Sequence, residues 1–139
     1  MTIPMMTLPV IRALTERHGL PVVDESSIEA LLLPADGESD HVLLFFPGDA
    51  SQRPESGDVA VILPQLLAAF EGRVRGGVVA ASAEDSLKPR FQVLMTPSLV
   101  LTKGNQPVDV FAKVLDWQDY RDRIEQALDG SVTATQTRQ

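Results

Sequence analysis

The chain has 139 residues, of which 44% are hydrophobic and 22% charged, the composition of one soluble globular domain. At this length roughly 68% of the unfolded surface can be buried, so a hydrophobic core is expected and collagen-like or wholly disordered chains are excluded. The apolar runs are far shorter than the roughly 20 residues that cross a bilayer, and the N-terminus lacks the basic region of a secretory signal. We therefore expect a cytoplasmic protein without membrane insertion.

The net charge of −7 argues against nucleic acid as a partner, because phosphate binding needs a basic surface. The charge is unevenly distributed: residues 24–58 hold nine acidic residues and one arginine, a net charge of −8, and the rest of the chain has +1. This segment fits a face that binds a cationic partner, and equally a solvated surface that keeps the protein soluble.

The first half of the chain predicts alternating helices and strands. Thr7 can cap the first helix, Gly19 follows its end, and the pattern Ser26-x-x-Glu29 is a capping box. His41–Phe46 is continuously apolar after its first residue, as a central strand covered on both faces would be. The predicted elements are a helix over 8–18, a strand over 21–23, a helix over 26–33 and a strand over 41–46.

The second half continues this alternation and ends in a hairpin and a helix. After a polar loop, Asp58 can cap a helix that contains Pro64, where we expect a kink because proline cannot donate a hydrogen bond to Ala60. Trp117 and Tyr120 are expected to pack the last helix on the sheet. The predicted elements are a loop over 47–57, a helix from 58, a strand over 76–81, a helix over 84–91, strands over 98–102 and 107–111, and a helix over 116–128.

This order predicts a three-layer α/β/α sandwich with a five-stranded mixed sheet. No internal linker divides it, so residues 1–130 form one predicted domain. The small, polar residues 131–139 are expected to be a flexible C-terminal tail.

The helix after the central strand and the run Met95-Thr96-Pro97 before the hairpin resemble the thioredoxin fold. In that family the pair matching Thr96-Pro97 has a cis peptide bond beside the active-site loop, whereas an ordinary trans turn is the alternative here. The redox Cys-x-x-Cys of thioredoxins follows the central strand, and residues 46–55 contain no sulfur at this place. Disulfide exchange needs a thiolate, so this activity is excluded.

A closer resemblance is to the thioredoxin-like hydrogenase expression/formation proteins of the HupG/HyaE type. It covers about residues 8–128, and its most specific parts are Gly48-Asp49, Arg53-Pro54-Glu55 and residues 58–64. The resemblance implies a cytoplasmic accessory protein without a cofactor. Such proteins are thought to bind the twin-arginine signal peptide of the hydrogenase small-subunit precursor, with other hydrogenase maturation proteins as further partners.

The candidate peptide-binding residues surround the place of the lost cysteines. Acidic residues among them could bind the arginines of a signal peptide through charge-assisted hydrogen bonds, apolar residues could receive apolar side chains, and the turn before the hairpin could hold an extended peptide. Helix capping by Asp58, solvation of Asp49 and Glu55, and a core position for Phe46 are the alternatives. The candidates are Phe46, Pro47, Asp49, Glu55, Asp58, Met95, Thr96 and Pro97.

Enzyme and metal-binding functions are not expected. His18 and His41 lie in different predicted elements, where surface roles are expected, and phosphate-loop and nucleophile-elbow motifs are absent from the sequence. Arg53, the one basic residue of the acidic segment, is expected to form an internal ion pair. The alternative to a signal-peptide chaperone is a non-catalytic scaffold or docking subunit of a maturation complex.

Overall fold

The computed structural model describes residues 9–49 and 55–129. Within these two ranges, five helices and five strands follow the predicted order, with a 3-10 turn over Ala81–Ala83 before the fourth helix. The helices are α1 (Pro9–Glu16), α2 (Ile28–Leu32), α3 (Glu55–Ala69), α4 (Glu84–Leu87) and α5 (Trp117–Leu128), and the strands are β1 (Val22–Val23), β2 (His41–Phe46), β3 (Arg75–Val79), β4 (Ser98–Lys103) and β5 (Gln106–Ala112).

The strands form one mixed sheet in the order β1-β3-β2-β4-β5, which confirms the predicted fold class. The pairs β1·β3 and β3·β2 are parallel, and the pairs β2·β4 and β4·β5 are antiparallel. Phe46 at the end of β2 pairs with Ser98, which pairs in turn with Ala112 at the end of β5. Because β1 and β3 also end here, one end of the sheet carries the loops that lead into α2, α3, α4 and α5.

The sheet lies between two layers of helices, each with its own apolar core. Leu43 and Phe45 of β2 pack among residues of α1, α3 and α5 on one face. Val42, Leu44 and Phe46 pack among residues of α2 and α4 on the other face. All six residues of β2 are buried, as the continuous apolar run predicted.

Two helix starts differ from the predictions. The predicted capping box Ser26–Glu29 is wrong. The carboxylate of Asp24 instead accepts hydrogen bonds from the Ser26 hydroxyl at 2.7 Å and from the Ser26 and Ser27 backbone N–H groups at 2.9 and 3.2 Å. The bond from the Ser26 hydroxyl, followed by that from the Ser26 backbone, holds the pKa of Asp24 below the ordinary value. The cap at Asp58 is also wrong, because α3 begins at Glu55 and Asp58 lies in its first turn.

Two expectations about side-chain burial also need correction. Tyr120 and Ile124 are buried against the sheet, but Trp117 is 39% exposed because it is the first residue of α5 and lies at the edge of the core. His41 is buried rather than on the surface, and burial lowers its pKa. The predicted cap Thr7, Arg53 and the predicted tail over 131–139 lie outside the described residues.

Candidate functional site

The loop after β2 meets the turn before β4 at the end of the sheet where Phe46 and Ser98 pair. The Thr96–Pro97 peptide bond is cis, as the resemblance to thioredoxins implied, and we call this end of the sheet the cis-proline end. Gly48 has φ of +71°, and a Cβ placed on it would lie 2.2 Å from Oγ1 of Thr96. Only glycine allows both this backbone conformation and this close approach, so Gly48 brings the two loops together.

Glu84 holds the same loop in place through a hydrogen bond. The local sequence around Glu84 did not predict this role. Its side-chain Oε2 accepts a hydrogen bond from the Gly48 backbone N–H at 3.0 Å. The residue is only 7% exposed, and burial raises the pKa of its carboxyl group. A buried carboxylate therefore fixes the backbone beside the cis-proline turn.

Ser56 is a second supporting residue that the sequence analysis missed. Its buried hydroxyl donates a 2.5 Å hydrogen bond to the carbonyl oxygen of Pro47, which joins the end of β2 to the first turn of α3. Phe46 is fully buried, with its ring centroid 6.3 Å from that of Phe91. Phe46 and Pro47 thus lie beneath the surface, and the predicted role of Phe46 in receiving a peptide side chain is replaced by a role in the core.

Of the three candidate carboxylates, two are available at the surface. Glu55 and Asp58 are exposed in the first turn of α3, and Asp49 is half-buried in the loop before it. Residues three apart on a helix have neighbouring side chains, with Cβ atoms about 5–6 Å apart. Glu55 and Asp58 thus present two negative charges side by side, close to the cis-proline turn.

The acidic segment over 24–58 does not form one face. Its middle part, with Asp36, Glu38 and Asp40, precedes β2 and lies at the opposite end of the sheet from Glu55 and Asp58. A six-residue strand is roughly 20 Å long, more than twice the Debye length of about 8 Å at physiological ionic strength. The two acidic groups therefore act independently on any charged partner.

Several carboxylates of this segment already have partners in the fold. Glu29 forms a 2.6 Å ion pair with Arg90, and Glu38 lies 3.6 Å from Arg75. Glu25 accepts a short hydrogen bond from the Ser86 hydroxyl. The cations that offset the segment come from later parts of the chain, which the local charge count did not include.

Acidic residues nevertheless accumulate at the cis-proline end. Four helices begin there, and their first turns carry Glu29, Glu55, Asp58, Glu84, Asp85 and Asp119. Negative charge near a helix N-terminus is stabilised by the helix dipole, so these residues also favour the fold itself. The same dipole places partial positive charge at this end, and Glu29 and Asp85 are paired with Arg90 and Lys88, so any attraction for a cation comes from the exposed carboxylates such as Glu55 and Asp58.

Apolar side chains are exposed next to these charges. Leu94 and Met95, directly before Thr96, are 97% and 42% exposed. The sequence analysis selected Met95 but not Leu94, although both precede the same turn. An apolar surface thus borders the acidic one.

The described part of the chain holds no cluster of metal-ligating side chains at this end of the sheet. Within residues 9–49 and 55–129, no group of three or more histidine, aspartate and glutamate side chains is arranged to hold a metal ion.

An open cleft lies at the other end of the sheet, between α1, α3 and β3, with Pro64, Leu67 and Gly76 among its lining residues. No helix in these two ranges is long and apolar enough to cross a membrane.

The fold and this loop define the class of protein, a thioredoxin-like domain without the redox cysteines. Residues 10–120 match the family model of the hydrogenase-1 expression protein HyaE. The chain belongs to the hydrogenase expression/formation proteins of the HupG/HyaE type.

Individual relatives agree with this assignment. The chain is 54% identical over 119 residues to the hydrogenase expression/formation protein HupG of Rhizobium leguminosarum bv. viciae, covering 86% of this chain and 80% of that protein. It is 34% identical over 125 residues to HoxO of Azotobacter vinelandii, covering 90% and 81%. The crystal structure of hupG from Rhodopseudomonas palustris has a TM-score of 0.55 and 38% identity, over 83% of this chain and 99% of that one.

Proposed function

We propose that this protein is a cytoplasmic accessory protein of hydrogenase maturation that binds the twin-arginine signal peptide of the hydrogenase small-subunit precursor at the cis-proline end of its sheet. The relatives are named for hydrogenase expression and formation, which supports a role in making a hydrogenase. The observation that carries the choice of site is the pair of exposed carboxylates, Glu55 and Asp58, beside the Thr96–Pro97 turn.

The charge of this pair suits a peptide that carries two arginines. A guanidinium group donates up to five hydrogen bonds in a rigid fork, and charge-assisted bonds to a carboxylate are worth roughly 1.5–3 kcal/mol when partly desolvated. Glu55 and Asp58 offer one carboxylate for each arginine. The backbone around Thr96 can hold the rest of an extended peptide by β-type pairing.

The protein acts by binding rather than by catalysis in this proposal. With no cysteine in the chain, thiol–disulfide exchange has no nucleophile. Glu84, the buried carboxyl group at this end, is hydrogen-bonded to the Gly48 backbone and positions the loop. The protein would hold the precursor in the cytoplasm until it is assembled.

Calorimetric titration of the full chain with a synthetic signal peptide tests the proposal. We expect saturable binding that weakens strongly between low and high salt, because exposed charges are screened. Replacing the two arginines of the peptide by glutamine should abolish it. A signal peptide from an unrelated exported protein tests specificity.

Charge variants locate the site. The double variant Glu55→Gln/Asp58→Asn should weaken binding at least roughly tenfold, which corresponds to about 1.4 kcal/mol. The matched control is Asp36→Asn/Glu71→Gln, which removes the same two charges from exposed positions at the other end of the sheet and should leave the affinity unchanged. Equal losses in both variants would refute the site and indicate a general charge effect.

A docking subunit of a maturation complex is the second candidate function, favoured by the exposed Leu94 and Met95. Apolar docking does not weaken as the salt concentration rises, whereas the proposed peptide binding does. A folded protein that binds no signal peptide, but binds another maturation protein equally at low and high salt, would favour this second function.

A further inference from the structure

We propose that the two exposed apolar pairs Leu94–Met95 and Val114–Trp117 form one docking surface for the apolar stretch of the same peptide whose cationic part binds Glu55 and Asp58. This inference rests on the proposed function and adds the residues that receive the apolar part. Of the four, Leu94, Val114 and Trp117 were not expected to bind anything.

The two pairs lie at neighbouring points of the cis-proline end, although 17 residues of the chain lie between Met95 and Lys113. The Lys113 backbone N–H donates a 3.0 Å hydrogen bond to the carbonyl oxygen of Pro97. Met95 lies two residues before this bond and Val114 lies directly after it. Because consecutive Cα atoms are about 3.8 Å apart, Met95 and Val114 lie within about 8 Å of this contact, and Leu94 and Trp117 lie one and three residues further from it along the chain.

Their exposure is unusual for residues of this size. Leu94 is 97% exposed, and Val114 and Trp117 are 37% and 39% exposed. Scattered single apolar residues need no explanation, but several that are adjacent on a surface mark an interaction site. Tryptophan is also enriched among the residues that dominate binding energies at interfaces.

The backbone next to each pair has a conformation that is unfavourable for residues other than glycine. Gln92, two residues before Leu94, and Lys113, directly before Val114, both have φ of 65°, a left-handed conformation that costs a residue other than glycine free energy. Tyr120 fixes the second segment, because its hydroxyl accepts a 3.1 Å hydrogen bond from the Leu115 backbone N–H. Fixed, strained segments that expose apolar side chains are typical of binding surfaces.

Charge complementarity determines the occupant. Glu55 and Asp58 lie on the α3 side of this end, and the exposed Asp116 and Asp119 flank Trp117 at the start of α5. The exposed Lys113 beside Val114 offsets one of these four negative charges. An apolar surface whose surroundings keep a net negative charge disfavours an acidic partner and suits a chain that combines basic and apolar residues. A peptide with an arginine pair followed by an apolar stretch has this composition.

Trp117 provides a direct measurement, because it is the only tryptophan of the chain. Titration with the full signal peptide should shift its fluorescence emission to shorter wavelength as the indole loses water. A shorter peptide that ends after the arginines should bind more weakly and leave the emission unchanged. Binding of the full peptide by calorimetry with no change in emission would overturn this inference and leave the proposed function standing.

Variants give a second measurement that does not depend on fluorescence. Leu94→Ser should weaken binding of the full peptide roughly tenfold and leave binding of the shorter peptide unchanged. Leu33→Ser is the matched control, since Leu33 is 74% exposed at the other end of the sheet and should have no effect on either peptide.

The outcomes separate the two proposals. Equal affinity of Leu94→Ser and the unmodified protein for the full peptide would overturn the apolar surface alone. Failure of the folded protein to bind either peptide would overturn the proposed function and this inference together. Circular dichroism of each variant establishes that it is folded, as its exposed position leads us to expect.

Discussion

The Gly48 backbone N–H donates a 3.0 Å hydrogen bond to the carboxylate of Glu84, a side chain that follows it by 36 residues and is 7% exposed. This contact joins the loop after β2 to the start of α4. Burial of a carboxylate disfavours its charged form, whereas the hydrogen bond favours it. Burial is the larger effect, so the pKa of Glu84 is raised above its ordinary value of 4.5.

The raised pKa of Glu84 makes the stability of the protein depend on pH. The folded state binds the proton of this group more tightly than the unfolded state, so its contribution to stability is full below pH 4.5 and is lost as the pH rises through the folded-state pKa. Glu84→Gln removes this dependence and keeps an acceptor for the Gly48 N–H. We therefore expect the difference in unfolding free energy, Glu84→Gln minus the unmodified protein, to increase as the pH rises. Urea denaturation between about pH 4 and 8 measures this difference.

The exposed residue Glu71 provides the control for this experiment. Glu71→Gln removes one carboxylate from the surface at the other end of the sheet without changing a buried group. Parallel pH profiles of Glu84→Gln and the unmodified protein would contradict the assignment of this dependence to Glu84.

Gly48→Ala tests the contact between the two loops. An added Cβ would lie 2.2 Å from Thr96 Oγ1 and 2.7 Å from its Cβ, and φ of +71° is unfavourable for alanine. The matched control is Gly37→Ala, because Gly37 has φ of +85° and nothing within 4 Å of the added Cβ. Gly37→Ala should cost about 1 kcal/mol of stability and Gly48→Ala at least roughly twice as much, by thermal or urea unfolding. Equal losses would mean that the Thr96 contact adds nothing.

Ser56→Ala tests the bond that joins Pro47 to the first turn of α3. The Ser56 hydroxyl is buried and donates to the Pro47 carbonyl at 2.5 Å, so its removal should destabilise the protein by about 1 kcal/mol. Ser82→Ala, at an exposed position in the 3-10 turn, should change the free energy of unfolding by less than about 0.5 kcal/mol. Urea denaturation of both variants measures the difference, and an unaffected Ser56→Ala would refute the role of this bond.

The order of the elements was predictable because each long element carries its own pattern. The apolar run His41–Phe46 identified the central strand to the residue. The start of α3 was not predictable in this way, because Ser56 and Gly57 favour a loop over a helix. Ser56 instead bonds to Pro47, a contact between segments that no local pattern reveals.

The candidate site was predictable only in part, for a similar reason. The resemblance placed the cis bond at Thr96–Pro97 beside the loop that follows β2. The helical spacing of Trp117 and Tyr120 placed both residues on the same face of the last helix. Trp117 is nevertheless exposed, because the first residue of a helix can lie outside the area where the helix packs on the sheet. The charge count over 24–58 could not show that β2 divides the segment between two ends of the sheet.

Tyr120→Phe tests whether the segment that carries Val114 and Trp117 is held by the tyrosine hydroxyl. Tyr120 is fully buried, its ring packs on Phe111 with centroids 5.7 Å apart, and its hydroxyl accepts from the Leu115 N–H at 3.1 Å and donates to the Lys113 carbonyl at 3.3 Å. The variant keeps the ring and leaves both backbone groups without this partner. We expect a loss of about 1–3 kcal/mol by urea denaturation, and faster hydrogen exchange at the Leu115 amide than in the unmodified protein. Trp117→Phe, at the exposed start of the same helix, should cost less than about 1 kcal/mol, so a comparable loss in both variants would show that α5 as a whole, rather than the hydroxyl, holds this segment.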